Sequence, residues 1–205
     1  ILTQNSKVNL NEVLGTNLFN IEKAKQAPGW LKVLRGEELS ELEEYGVRSI
    51  TFKSRIPFHP ERFLKLLKES NLCRGIIRAK GFFWMATQPS ISILLSIAGK
   101  NSKFEKAGVW WASISIDKRP PESNQEFYDW LLKIWDETYG DRRTELVFIG
   151  QDFAEDKLLE GLHAALLTQS EIDNPAIWNQ LSDPFPPWEK IQEATNQFEF
   201  SLRHQ

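Results

Sequence analysis

"RSITFKSRIPFHPERFLKLLKES", residues 48–70, contains a change from strand-like to helix-like spacing of its apolar residues. Ile50 and Phe52 alternate with polar residues, which is the pattern of a β-strand buried on one face. Pro60 stands where a helix can begin, and Phe63 opens an apolar stripe with helical spacing. We therefore predict a strand that is followed directly by an amphipathic helix.

Further strands and helices are predicted on the C-terminal side of this unit. The predicted strands lie within residues 73–87, 91–99, 107–116 and 144–150, and the predicted helices within 120–140 and 152–168. This order indicates an α+β domain, with a two-layer, ferredoxin-like antiparallel sheet and helices on one face. The predicted core consists of Ile50, Phe52, Phe63, Leu67, Leu131, Trp135, Val147, Ile149, Leu162 and Leu166.

The composition limits the class of partner. The 205 residues are 41% hydrophobic, which is enough for one domain with a substantial core. A net charge of −3 disfavours general binding to nucleic acid or to anionic membranes. The single cysteine, Cys73, excludes an intrachain disulfide and fits a reducing compartment, and no apolar run is long enough to span a bilayer. We expect a cytoplasmic protein with neither a membrane nor a nucleic-acid partner.

Three aromatic residues stand side by side in "RAKGFFWMAT", residues 78–87. Successive side chains of a strand point to opposite faces, so the three rings cannot all enter one core. We predict that Phe83 and Met85 face the helices. The other face then carries a candidate partner-binding set, Arg78, Lys80, Phe82 and Trp84, bordered by His59 and Arg62 and joined by Trp110 or Trp111.

This aromatic strand has one structural interpretation, in which two rings pack into the core and the third is covered by the N-terminal arm or another chain, and two functional ones. Exposed aromatic residues beside fixed charges are typical of protein–protein contacts. Alternatively, "KGFFWMAT" partly matches the base-stacking strand of an RNA-recognition motif, in which Phe82 and Trp84 would stack bases of single-stranded RNA. Phe83 and Thr87 depart from that motif, because the motif has a small residue and an aromatic residue there.

Catalytic and metal-binding patterns are sparse. His59 and His163 are candidate metal ligands, but neither belongs to a C-x-x-C or H-x-x-x-H spacing. The sequence contains no phosphate-binding loop and no nucleophile elbow. We therefore name no catalytic or cofactor-binding residue, and the residue chemistry alone favours a binding or interaction domain.

Several strings together resemble the C-terminal domain of the CobW family of metal-chaperone GTPases. They are "EVLGTNLFNIEKAKQAPGWL" at 12–31, "EEYGVRSITFKSRIPFHPERF" at 43–63, "RGIIRAKGFFWMAT" at 74–87, "ELVFIGQD" at 145–152, "LLTQSE" at 166–171 and "DPFPPW" at 183–188. Their order along nearly the whole chain makes this resemblance more specific than any single string.

The resemblance implies a domain order and a role. It implies that 1–45 is a connecting arm from an N-terminal GTPase domain, 46–190 the CobW-like domain and 191–205 a tail. Full-length proteins of this kind use GTP, Mg²⁺ and zinc or cobalt, and they deliver metal to client proteins or serve cobalamin synthesis. The chain lacks the family's phosphate loop and CxCC motif. It is therefore expected to be a non-enzymatic accessory domain that contacts the GTPase domain or a metal-accepting client.

Overall fold

The computed structural model describes residues 14–16, 20–25, 46–69, 73–188 and 197–201. The chain divides into two compact units, Ile1–Tyr45 and Gly46–Gln205. In the first unit, helix α1 covers Ile21–Lys25, and the Asn20 side chain accepts a hydrogen bond of 3.0 Å from the Lys23 amide. Most of the predicted connecting arm lies outside the described residues.

The second unit contains the sheet and the remaining described helices. The strands are β1 Val47–Ser54, β2 Ile76–Phe83, β3 Ile91–Ala98, β4 Asn101–Val109, β5 Thr144–Gln151 and β6 Gln197–Ser201. The α-helices are α2 Pro60–Glu69, α3 Gln125–Ile134, α4 Glu155–Ala164 and α5 Gln169–Ile172, and 3₁₀ helices cover Trp111–Ser113, Ile116–Lys118 and Pro175–Gln180. None of the described helices is long and apolar enough to cross a membrane.

The strands form one antiparallel sheet in the order β1-β5-β2-β3-β4-β6. Strand β5 is antiparallel to both β1 and β2, so β1 and β2 are parallel to each other, and α2 lies between them in sequence. This split β-α-β unit is characteristic of ferredoxin-like folds. The predicted α+β class with an antiparallel sheet is confirmed.

One face of the sheet packs against α2 and α4, and we call it the core face. There Phe52 lies opposite Leu146, and Phe83 lies opposite Ile93, with at most 1% of each residue exposed. The predicted residues that are buried in this core are Phe52, Phe63, Leu67, Leu162 and Leu166, with Ile50 partly buried against it. Leu131 is also buried, but outside this cluster.

Three predicted core residues are wrong. Val147 is 38% exposed and Ile149 is half-buried, because Leu146 and Phe148 are the β5 residues that enter the core. The register explains this choice, since Leu146 lies opposite Phe52 and therefore shares its face. Trp135 follows the last residue of α3 and is 39% exposed.

Two strands differ from the predicted pattern. Strand β4 covers Asn101–Val109, whereas it was predicted within residues 107–116, so the two agree only at 107–109. The strand ends at Val109 because the buried carboxylate of Asp141 accepts hydrogen bonds from the amides of Trp111 at 3.0 Å and Ala112 at 2.8 Å. These bonds hold the chain in a 3₁₀ turn. Strand β6 lies within the residues that were predicted to be a tail, and it pairs with β4.

Gly81 lies within β2, where the strand pairing is regular. It pairs in register with both neighbouring strands, whereas the irregularity of β2 lies between Ile76 and Arg78. The φ of Gly81 is 152°, which other residues rarely adopt. A Cβ at this position would lie only 2.0 Å from the Glu145 carbonyl oxygen, so glycine is required there.

Candidate interaction surface

The sheet face opposite the core face is the candidate surface, and we call it the outer face. Its side chains include Thr51, Arg78, Lys80, Phe82, Ser96, Lys103, Glu105, Glu145, Val147 and Ile149. The alternation of each strand places them there, because their neighbours in sequence enter the core. The structure therefore brings three of the predicted partner-binding residues, Arg78, Lys80 and Phe82, onto one face.

Cross-strand register places aliphatic and basic side chains side by side on the outer face. Val147 lies between Thr51 of β1 and Lys80 of β2, and Ile149 lies opposite Arg78. Directly opposed residues of this kind have Cβ atoms about 4.5–5.5 Å apart. Arg78 and Lys80 are exposed, so a basic pair borders an aliphatic strip.

The cations of the outer face differ in whether a carboxylate contacts them. Lys103 contacts Glu105 at 3.0 Å, and Arg143 contacts Glu145 at 2.9 Å. In the part of the chain that the structure describes, no ion pair joins a carboxylate to Arg78 or Lys80. Their cross-strand neighbours are also uncharged, since Ile149 and Val147 flank them on β5 and Ala98 and Ser96 on β3.

Phe82 is partly covered by its own chain. The Arg143 guanidinium lies 4.8 Å from the centre of the Phe82 ring, and Trp110 meets that ring edge-on at 5.9 Å. Trp110 is itself buried, and its Nε1 donates to the Ile91 carbonyl at 3.0 Å. Trp111 instead packs on Phe127 at 4.8 Å.

Trp84 does not lie on an exposed surface, so that part of the prediction is wrong. Only 1% of Trp84 is exposed, and its Nε1 donates to the Arg55 carbonyl at 3.1 Å. Tyr139 and Trp178 meet the indole edge-on at 5.6 and 6.3 Å. Phe83 and Met85 are buried in the core as predicted.

Arg55 explains how Trp84 becomes covered. Its guanidinium donates to the carbonyls of Ile134 at 2.8 Å and of Gly140 and Arg142 at 3.1 Å. These bonds attach residues 134–142 to the end of β1. The sequence did not indicate this role for Arg55, because one arginine after a strand carries no signal for three distant carbonyl partners.

A cleft of about 300 Å³ adjoins Trp84. Arg142 forms part of its wall, and it donates to the Pro89 carbonyl at 2.7 Å, the Tyr139 carbonyl at 3.1 Å and Ser113 Oγ at 2.8 Å. Burial lowers the pKa of Arg142 from its usual value. The guanidinium is thus held by neutral acceptors, which fix the walls of the cleft.

His59 and Arg62 lie at the start of α2, on the core side of the sheet. Arg62 donates to the Leu166 carbonyl at 2.9 Å and to Glu171 Oε2 at 2.6 Å. Burial, followed by the Arg62 charge, lowers the pKa of His59, and its Nδ1 has no hydrogen-bond partner among the described atoms. The structure therefore joins Arg62 to α5 and does not bring these two residues to the outer face.

Glu171 is the acceptor that this arrangement depends on. Its Oε2 also accepts a hydrogen bond from the Thr168 amide at 2.7 Å, which is part of a capping box at the start of α5, and a separate one from the Thr168 hydroxyl at 2.9 Å. Burial opposes the charge of Glu171, but the hydrogen bonds from Arg62 and Thr168 outweigh it and hold the pKa at about 2.

His163 lies exposed on α4, where its ring meets Phe52 edge-on at 5.0 Å. Among the described residues, no group of three or more His, Cys, Asp or Glu side chains could hold a metal ion. The proposal that His59 or His163 binds metal therefore gains no support from the geometry.

The string "DPFPPW" has a structural role. Asp183 Oδ2 accepts hydrogen bonds from Thr87 Oγ1 at 2.6 Å and from Gln88 Nε2 at 2.9 Å. The Trp188 amide donates to Gln88 Oε1 at 2.9 Å. Phe185 and Trp188 are buried in the core, so this string fastens the C-terminal segment to the β2–β3 turn.

The chain is similar to zinc-related GTPases and chaperones. It is 38% identical over 192 residues to zinc-regulated GTPase metalloprotein activator 1 of Dictyostelium discoideum, covering 92% of this chain and 40% of that protein. It is 28% identical over 143 residues to a zinc chaperone of Mycobacterium tuberculosis, covering 69% of this chain and 35% of that protein. It thus spans about two fifths or less of the length of these relatives.

Among solved structures, the Zn(II)-bound YjiA GTPase of E. coli matches 61% of this chain and 31% of that protein, with 15% identity and a TM-score of 0.41. The family model described as the cobalamin synthesis protein cobW C-terminal domain matches residues 47–166, which begin with β1 and end just after α4. The chain therefore belongs to the CobW C-terminal domain family.

Proposed function

We propose that this chain is the accessory domain of a CobW-type, GTP-dependent zinc chaperone, and that it acts by binding protein surfaces instead of by catalysis. Its partners are the GTPase domain of the same protein and the client that accepts the metal. The names of the relatives support the zinc and GTP parts of this proposal, since one is a zinc-regulated GTPase and another a zinc chaperone. GTP, Mg²⁺ and zinc, or cobalt in a cobalamin-related member, are handled by the GTPase domain.

The observation that carries the proposal is the outer face. Arg78 and Lys80 are exposed beside Val147, and the described residues provide no carboxylate in contact with either cation. Charged side chains elsewhere have structural tasks, as Asp141 holds a 3₁₀ turn and Glu171 caps α5. These carboxylates therefore have structural roles, and the outer face keeps cations that no carboxylate contacts. Such a surface is better suited to binding another protein than to catalysis.

We also propose that the protein is located in the cytosol. The only cysteine of the chain, Cys73, is buried as a free thiol. A buried free thiol fits the reducing cytosol that the sequence predicts.

The proposal is tested with two components. The first is this chain, and the second is the remaining three fifths or so of the Dictyostelium relative, expressed separately. Titration calorimetry is expected to show that they bind, and that this chain alone neither binds GTP tightly nor hydrolyses it. Micromolar GTP affinity or steady turnover by this chain alone would contradict the non-enzymatic role, and an absence of binding between the components would contradict the interdomain role.

A further inference from the structure

The distribution of charge on the outer face identifies the chemistry of a partner. Lys53 lies opposite Glu145, and Lys103 contacts Glu105, so these cations have carboxylates beside them. Arg78 and Lys80 have only uncharged cross-strand neighbours. The chain as a whole has a net charge of −3, so this basic pair is a local departure from an acidic protein. Such a pair attracts carboxylates and repels other cations.

The aliphatic strip adds a second requirement. Val147 is 38% exposed and Ile149 is half-buried, and each lies beside one of the two cations. A partner that supplied only carboxylates would leave this apolar surface in water. A partner with an aliphatic side chain between its carboxylates would cover the strip and contact the cations together.

The same geometry disfavours RNA. Binding to single-stranded RNA needs aromatic rings whose flat faces are open to the bases. Phe82 is contacted by the Arg143 guanidinium and by Trp110, and Trp84 is 1% exposed. Of the two rings that the sequence predicted as a stacking platform, Phe82 is therefore partly covered and Trp84 fully covered by the chain itself.

We infer that the outer face binds an acidic protein segment, whose carboxylates contact Arg78 and Lys80 and whose aliphatic side chain packs on Val147 and Ile149. This inference rests on the proposed function and names the chemistry of its partner. Arg78 and Lys80 are two residues apart on one strand, so their Cα atoms are about 7 Å apart. Carboxylates two residues apart in an extended segment, or one turn apart on a helix, match that separation.

The first test titrates the isotope-labelled chain with three probes and records its NMR spectrum. The probes are a synthetic leucine-containing peptide rich in glutamate, the same peptide with glutamine at every glutamate, and oligo-uridine RNA. The acidic peptide is expected to shift the amides of Arg78, Lys80 and Val147, and to bind more weakly as salt is added. The glutamine peptide and the RNA are expected to leave these signals unchanged. Equal binding of the glutamine peptide, binding of RNA at this face, or no binding of the acidic peptide would overturn the inference.

Matched variants locate the site. Lys80→Glu should weaken the acidic peptide about three- to tenfold, because it removes one attraction and adds a repulsion. Lys157→Glu makes the same charge change on an exposed residue of α4 and should alter the affinity less than about twofold. Val147→Thr keeps the side-chain volume but reduces apolar contact, so it should weaken binding without changing the salt dependence. Equal losses from Lys80→Glu and Lys157→Glu would also overturn the inference.

The separately expressed segment of the Dictyostelium relative distinguishes this inference from the proposed function. If the acidic peptide binds the outer face and that segment does not bind, the surface inference stands and the interdomain role fails. If that segment binds and Lys80→Glu leaves its affinity unchanged, the interdomain role stands and the surface inference fails.

Discussion

Arg62 donates a hydrogen bond of 2.6 Å to Glu171, and this contact joins the start of α2 to the cap of α5. The two residues are 109 positions apart in sequence. The same Glu171 oxygen accepts both hydrogen bonds from Thr168, so one carboxylate holds a helix cap and a long-range ion pair. The stability of this junction therefore depends on the charge of Glu171.

The charge of Glu171 predicts an acid-sensitive contribution to stability. Its pKa is lowered from 4.5 to about 2, so the folded state binds fewer protons than the unfolded state as the pH falls. The stabilisation is present above pH 4.5 and is lost as the pH approaches 2. Because both side chains are partly exposed, we expect about 1–2 kcal/mol from this group, measured by urea unfolding across that range.

Glu171→Gln provides the check on this prediction. The variant should be less stable than the parent at pH 7 and should lose less stability between pH 5 and pH 2. Glu160→Gln changes an exposed carboxylate on α4 and should follow the parent curve. If Glu171→Gln and the parent lose stability in parallel below pH 5, Glu171 is not the titrating group.

Local spacing was sufficient to predict β1 and α2. The alternation around Phe52 and the proline at position 60 are signals that nearby residues carry, and both elements were found where they were predicted. The apolar run of β5 contains no such signal. Leu146 and Val147 are both aliphatic, so only pairing with β1 decides which of them enters the core.

The candidate surface was predicted in part. The parity of β2 correctly placed Arg78, Lys80 and Phe82 on the face opposite Phe83. Parity could not predict the burial of Trp84, because residues 134–142 and Trp178 cover it from distant parts of the chain. Long-range covering of this kind leaves no periodic pattern in the sequence.

Gly81 is expected to tolerate no side chain. A Cβ at this position would lie 2.0 Å from the Glu145 carbonyl oxygen of the neighbouring strand, and the φ of 152° is one that other residues rarely adopt. Gly81→Ala should therefore lower the free energy of unfolding by more than about 2 kcal/mol. Urea titration measures this change.

Gly108→Ala is the matched control for Gly81→Ala. Gly108 also lies in a strand, and apart from its two chain neighbours no atom lies within 4 Å of where a Cβ would be. Its replacement should change stability by less than about 0.5 kcal/mol. Similar losses for the two variants would show that close approach of β5 does not determine the need for glycine at position 81.

Cys73 should be unreactive in the folded protein. It is 2% exposed, and burial raises the pKa of its thiol to about 11. At pH 8 a smaller fraction of Cys73 is thiolate in the folded protein than in the unfolded chain. This difference alone should slow alkylation by iodoacetamide about a hundredfold. Mass spectrometry with and without denaturant measures the two rates. A native rate within about tenfold of the denatured rate would mean that this thiol is accessible.

Trp84 is the residue for which the sequence and the structure predict opposite results. An exposed partner-binding indole could be removed at little cost to stability, but the structure buries it among Tyr139, Trp178 and the Arg142 guanidinium, which lies 5.8 Å from the ring centre. Trp84→Ala should therefore lower the free energy of unfolding by about 3–5 kcal/mol, measured by urea titration. Trp130→Ala removes an indole that is 46% exposed on α3 and should cost less than about 1 kcal/mol. Equal, small losses of unfolding free energy in both variants would contradict the burial of Trp84 and make it a candidate contact residue again.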